Sequence, residues 1–85
     1  MSLQVEYSAR AIRDLRNLDR AVARRITTAV ARMAETQSGD VRKLRGVDDL
    51  WRFRVGDWRV MLTNVRSRNA ILVTRVLHRS EAYRD

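Results

Sequence analysis

The run WRFRVGDWRV, residues 51–60, constrains this chain more than any other stretch. Trp51, Phe53 and Val55 alternate with Arg52 and Arg54, and the alternation resumes after Gly56-Asp57 in Trp58, Val60 and Leu62. Successive side chains of a strand point to opposite faces, so this pattern predicts two half-buried strands. Two residues between them, Gly first, predict a type II′ hairpin. The register then pairs Val55 with Trp58, Arg54 with Arg59, Phe53 with Val60, Arg52 with Met61 and Trp51 with Leu62. The aromatic and aliphatic residues share one face, while Arg54 and Arg59 oppose each other on the other, beside Arg52. Like charges directly opposite are destabilising, and guanidinium forks match phosphate oxygens at any working pH. Two readings follow: an anion site, which we favour, or a solvated sheet face whose Arg stems cover apolar surface.

The rest of the chain supplies elements to pack behind the hairpin. Leu3, Val5 and Tyr7 alternate as a short strand. Ser8 is an N-cap for a helix with the stripe Ile12, Leu15 and Leu18; Asp19 caps a second with Val22, Ile26, Ala29, Val30 and Met33. The second helix stops at Gln37-Ser38-Gly39-Asp40, and residues 41–49 read as a connector with a turn at Gly46. Residues 64–69 form another turn, residues 70–77 are apolar on both faces as in a central strand, and Ser80-Glu81 mark a last helical turn. The expected fold is α+β: an N-terminal strand, a two-helix hairpin on one face of a small sheet, then a three-stranded antiparallel meander. Residues 1–85 make one domain.

Composition narrows the chemistry. The chain has no Cys and one His, which excludes thiol nucleophiles, disulfides and thiolate metal sites and argues against any resident metal. No apolar run approaches the ~20 residues needed to span a bilayer, and MSLQVEYS lacks the basic and apolar regions of a signal peptide. A cytoplasmic protein without cofactor is expected. Of the eighteen basic residues seventeen are Arg, and the formal net charge is +8. Residues 1–41 carry seven basic and five acidic groups, residues 42–85 eleven and five. Such asymmetry points to a polyanion or an acidic protein partner.

The tail offers candidates for chemistry. Tyr83 beside several arginines would have its phenolate favoured; it would equally serve to stack on a base or to pin the C-terminus by packing. His78 is suited by type to proton transfer, or it is structural.

The layout Tyr7-Ser8-Ala9…Leu15…Leu18, with KLRG (43–46), LWRFRVGDWRVM (50–61) and HRSEAY (78–83), resembles the RelE/ParE superfamily of bacterial type II toxins over nearly the whole chain. For the RelE branch the resemblance implies a ribosome-dependent endoribonuclease that cuts mRNA in the A site. It implies no metal, and attack of a 2′-OH on the neighbouring phosphate. Arg54 and Arg59 would then hold the scissile phosphate, Arg52 would position the backbone, and Tyr83 would stack or take the 2′ proton. Arg79 or His78 would assist the leaving 5′ oxygen. Lys43, Arg45 and Arg75 are further expected RNA contacts. The chain departs from well-studied RelE members in carrying Arg at both strand positions where those have Lys. Arg does not shed its proton, so the general base falls to Tyr83 or His78. Leu77 occupies a position where some members carry Arg. The ParE branch, whose members poison DNA gyrase without cutting RNA, is the alternative; a catalytically dead RNA-binding or partner-docking module is a third. The resemblance also implies a RelB-like antitoxin with an acidic wrapping segment, through which operator DNA is contacted indirectly.

Overall fold

The computed structural model describes residues 3–44 and 49–82. Arg45, Gly46 and Tyr83 therefore lie outside the described residues. The chain order is β1 (Gln4–Tyr7), α1 (Ala9–Arg16), α2 (Arg20–Thr36), β2 (Val41–Lys43), β3 (Leu50–Val55), β4 (Trp58–Val65), a 3₁₀ turn (Arg66–Arg68), β5 (Ala70–His78) and α3 (Arg79–Ala82). The fold is α+β, as the sequence predicts. Its sheet has five strands in the order β1-β5-β4-β3-β2, with β1 parallel to β5 and the other pairs antiparallel. The fifth strand corrects the reading of residues 41–49 as a plain connector. Val41, Arg42 and Lys43 pair with Phe53, Arg52 and Trp51; three residues are too few for alternation to register as a pattern.

Both helix starts follow the sequence. The Ser8 hydroxyl accepts from Ala11 N–H at 3.1 Å and Asp19 Oδ2 from Ala21 N–H at 3.1 Å, so each cap satisfies an otherwise orphaned donor. Gln37 ends α2 in the left-handed conformation. The core lies between the helices and one face of the sheet. Ile26, Val30, Met33 and Ala34 of α2 meet Phe53, Val55, Val60, Leu62, Val73 and Val76, with Trp51 and Trp58 at its margin. Leu15 and Leu18 of the predicted stripe pack against the core, but in α1 Ala11 takes the inward place expected of Ile12. Ala11 is buried and Ile12 is 38% exposed. The small Ala11 permits close approach, and Asp14, one turn on, reaches strand β5.

β5 is an interior strand between β1 and β4, but β1 pairs only with residues 70–73 of it. Helix α1 closes the rest of that edge. Val73 C=O accepts from Ser8 N–H at 2.9 Å and Thr74 C=O from the Ser8 hydroxyl at 3.0 Å. Asp14 Oδ2 accepts from both Val76 N–H (2.9 Å) and Arg75 Nε (2.9 Å). These contacts occupy groups that an open edge would offer to another strand.

The β3–β4 hairpin has the predicted register at every pair. Gly56 has φ +57° and Asp57 is not in the left-handed region, the pattern of a type II′ turn. A Cβ at Gly56 would also stand 2.9 Å from Arg25 Nη2 of α2. Gly56→Ala is therefore expected to lose about 1–2 kcal/mol in a urea titration, mostly from the backbone conformation. An unchanged midpoint would contradict the strain at this turn.

Candidate functional site

The pleat of the sheet determines which side chains face away from α1 and α2. One row across that outer face reads Arg42, Arg52, Met61, Arg75; the next reads Arg54, Arg59, Leu77. Five of these seven residues are arginines. The predicted gathering of guanidinium-bearing residues on the helix-free side of the hairpin is what the register produces.

Their environments differ in ways that sequence does not report. Arg54 is exposed and Arg52 half-buried. Arg59 is 3% exposed, and its Nη1 donates to Gly56 C=O at 2.9 Å and Trp58 C=O at 3.0 Å. Its head is turned back onto the hairpin turn, where two carbonyls accept from it. The expectation that Arg54 and Arg59 present two heads side by side is corrected accordingly. One head folds onto backbone carbonyls while its cross-strand partner extends to solvent, which eases the like-charge repulsion without requiring an anion.

Arg75, at the opposite end of the first row, is drawn to the sheet edge by Asp14, with Nε–Oδ2 2.9 Å and Nη2–Oδ1 3.4 Å. Burial alone would raise the Asp14 carboxyl. The Arg75 guanidinium and Val76 N–H outweigh it and hold the group below its ordinary value. Arg42 stands at the other end of the same row. Its side chain is 75% exposed, directly opposite Arg52 and 3.8 Å from Asp40. Sequence reasoning missed Arg42 because its strand was missed; the only available signal was the alternation of Val41, Arg42 and Lys43.

Three other candidates fall away from the outer face or at its end. Lys43 pairs with Trp51 and so belongs to the helix-side register, exposed at the edge strand. His78 pairs with Trp58, a residue packed on the core, and meets its ring edge-on at 5.2 Å and 83°. It therefore lies on the opposite face from Arg54. Arg79 opens α3 beside the hairpin turn: its N–H donates to Asp57 C=O at 2.8 Å and its Nε is 3.9 Å from Asp57 Oδ1. Leu77 stands opposite Arg59, as the register predicts. Arg45 and Tyr83 are among the residues not described.

A cleft of about 310 Å³ lined by Leu3, Met33, Val41, Trp51, Leu62 and Ile71 opens elsewhere on the molecule and carries no titratable side chain. Acid–base chemistry does not belong there. Among the described residues no three His, Asp or Glu side chains gather as metal ligands would, and no helix is long and apolar enough to cross a membrane.

This five-stranded mixed sheet backed by an N-terminal helical hairpin is shared with solved structures of RelE-type toxins. A chain of the RelBE2 toxin–antitoxin complex from Mycobacterium tuberculosis matches at TM-score 0.80 and 20% identity, over 93% of this chain and 100% of that one. A chain of the archaeal RelE–RelB complex from Pyrococcus horikoshii matches at TM-score 0.74 and 25% identity, over 95% and 99%. In sequence, a provisionally assigned toxin RelE1 of Methanocaldococcus jannaschii is 25% identical over 89 residues, covering 100% of this chain and 99% of the relative. The model of the ParE toxin of the type II toxin–antitoxin system parDE matches residues 5–83. This chain belongs to that toxin family, within the RelE/ParE superfamily.

Proposed function

We propose that this toxin inhibits translation by cutting mRNA in the A site of the ribosome. The observation that carries the reading is the hairpin register, which sets Arg52 and Arg54 on the outer face with Arg42 alongside and Arg79 at the adjacent turn. In this reaction a 2′ oxygen attacks the neighbouring phosphorus, the bond to the 5′ oxygen breaks, that oxygen takes a proton from solvent, and a cyclic phosphate and a free 5′-OH result. Negative charge accumulates on the phosphoryl oxygens in the transition state, and fixed guanidinium groups stabilise it. Arg54 is the principal phosphate ligand in this reading and Arg52 positions the strand of RNA. Arg59 supports the turn and adds fixed positive charge beneath it, and Arg79 stands by the leaving oxygen. Tyr83 takes the 2′ proton, because the remaining residues assigned to this site are arginines. No metal or cofactor is needed.

The partner is an antitoxin with an acidic segment that covers the same face, in the cytoplasm, with operator DNA bound through the antitoxin. Complementary charge accelerates encounter, so raising salt is expected to slow association. The family model favours a second reading, in which the chain poisons DNA gyrase and leaves RNA whole. Induced expression followed by mapping of transcript 5′ ends, with translation running and with it blocked, separates the two. New ends only during translation support cleavage. Intact transcripts with accumulating gyrase–DNA breaks would replace it with the second reading.

A further inference from the structure

We propose that His78 is a positioning residue: its Nδ1 caps α3 and so fixes Arg79 beside the β3–β4 turn. The proposal rests on the cleavage reading only for its activity readout. Helix α3 has four residues and its first amide groups need acceptors from outside. Arg79 N–H finds Asp57 C=O at 2.8 Å. Ser80 N–H points at His78 Nδ1 at 3.3 Å, and the Ser80 hydroxyl lies 2.9 Å from the same nitrogen.

A backbone N–H only donates, so Nδ1 is the acceptor and a neutral ring carries its proton on Nε2. His78 stands immediately before α3 and Ser80 is the second residue within it, the relation in which a side-chain N-cap operates. The ring is held for this task by Trp58, whose edge-on contact at 5.2 Å ties it to the core margin. The same register that puts His78 on Trp58 takes it to the face opposite Arg54. An imidazole there orients the helix that bears Arg79 and does not approach a phosphate bound at Arg54.

Substitution separates this role from proton transfer. Asn is among the best N-caps and has no titrating group; Leu fills similar space and accepts nothing. His78→Asn is expected to cut mRNA within about two-fold of the parent, and His78→Leu to fall about five-fold, the population loss expected of a missing cap. If His78→Asn is as impaired as His78→Leu while both melt like the parent, the capping role is overturned. A second measurement does not depend on activity. Nitrogen-15 spectra of the parent should show Nδ1 unprotonated, and Ser80 amide exchange should accelerate in His78→Leu but not in His78→Asn. A ring protonated on Nδ1 alone, or exchange equal in all three proteins, would sink the proposal. If the parent cuts no RNA, the cleavage reading fails and these spectra still decide the role of His78.

Discussion

Alanine in place of Arg54 is expected to lower mRNA cleavage by about 10²–10³-fold, the usual loss for one fixed donor to a developing oxyanion. Stability should stay within about 0.5 kcal/mol of the parent, because Arg54 is exposed and its removal relieves a like-charged cross-strand pair. Arg59→Ala should behave differently. It removes a buried cation whose Nη1 serves two turn carbonyls, at 2.9 and 3.0 Å. Hydrogen bonds from charged donors contribute about 1.5–3 kcal/mol each, so this variant should lose both activity and about 2–3 kcal/mol of stability. Growth arrest, cleavage and urea midpoints measured on the two purified variants test the contrast. Arg54→Ala that unfolds, or that stays fully toxic, would remove Arg54 from the site.

The second large effect belongs to Asp14. Its carboxylate holds Arg75 and Val76 N–H at once, sealing the part of β5 that β1 does not reach. Asp14→Ala strands a backbone donor and a half-buried guanidinium, with an expected loss of about 2–3 kcal/mol. For a domain of this size that is about 10 °C or more in Tm. The pH dependence has a definite sign. The folded carboxyl titrates below its ordinary range, so its contribution is complete above about pH 4 and disappears as pH falls through the lower folded value. Urea midpoints between pH 3 and 7 should show a steep acid arm in the parent and a flatter one in Asp14→Ala. Equal acid arms would mean that the Asp14–Arg75 contact adds nothing. Glu6, which accepts a two-point contact from Arg68, remains in both proteins as an internal reference.

The sequence made the hairpin legible down to its residue pairs because two rules agreed there. Period-two alternation identified the strands, and Gly56-Asp57 left one loop length that joins them. The helix caps at Ser8 and Asp19 were legible for a similar reason, since the preference is carried by a single side chain. What escaped depended on tertiary contact. Strand β2 is held by pairing with β3 rather than by its own pattern, so Arg42 went unseen. The inward face of α1 is decided by the match of Ala11 and Asp14 to β5, where hydrophobicity alone favoured Ile12. Arg59 and Arg54 look alike in sequence, yet the orientation of two turn carbonyls separates their roles. His78 looked like a candidate for chemistry from residue type, and only the register assigns it to the face of Trp58.

The parallel pairing of β1 with β5 has a bearing on how this molecule folds. Gln4 lies beside Ala70, and the Ser8–Thr74 bond spans 66 positions of sequence. Contacts this distant are slow to close, and the strand that receives β1 follows the other described strands in the sequence. A chain without residues 70–78 can build its helices and the β3–β4 hairpin but has nothing to join β1 to the rest of the sheet. The outer face that holds Arg52 and Arg54 is thereby completed only when the two ends of this sequence come together.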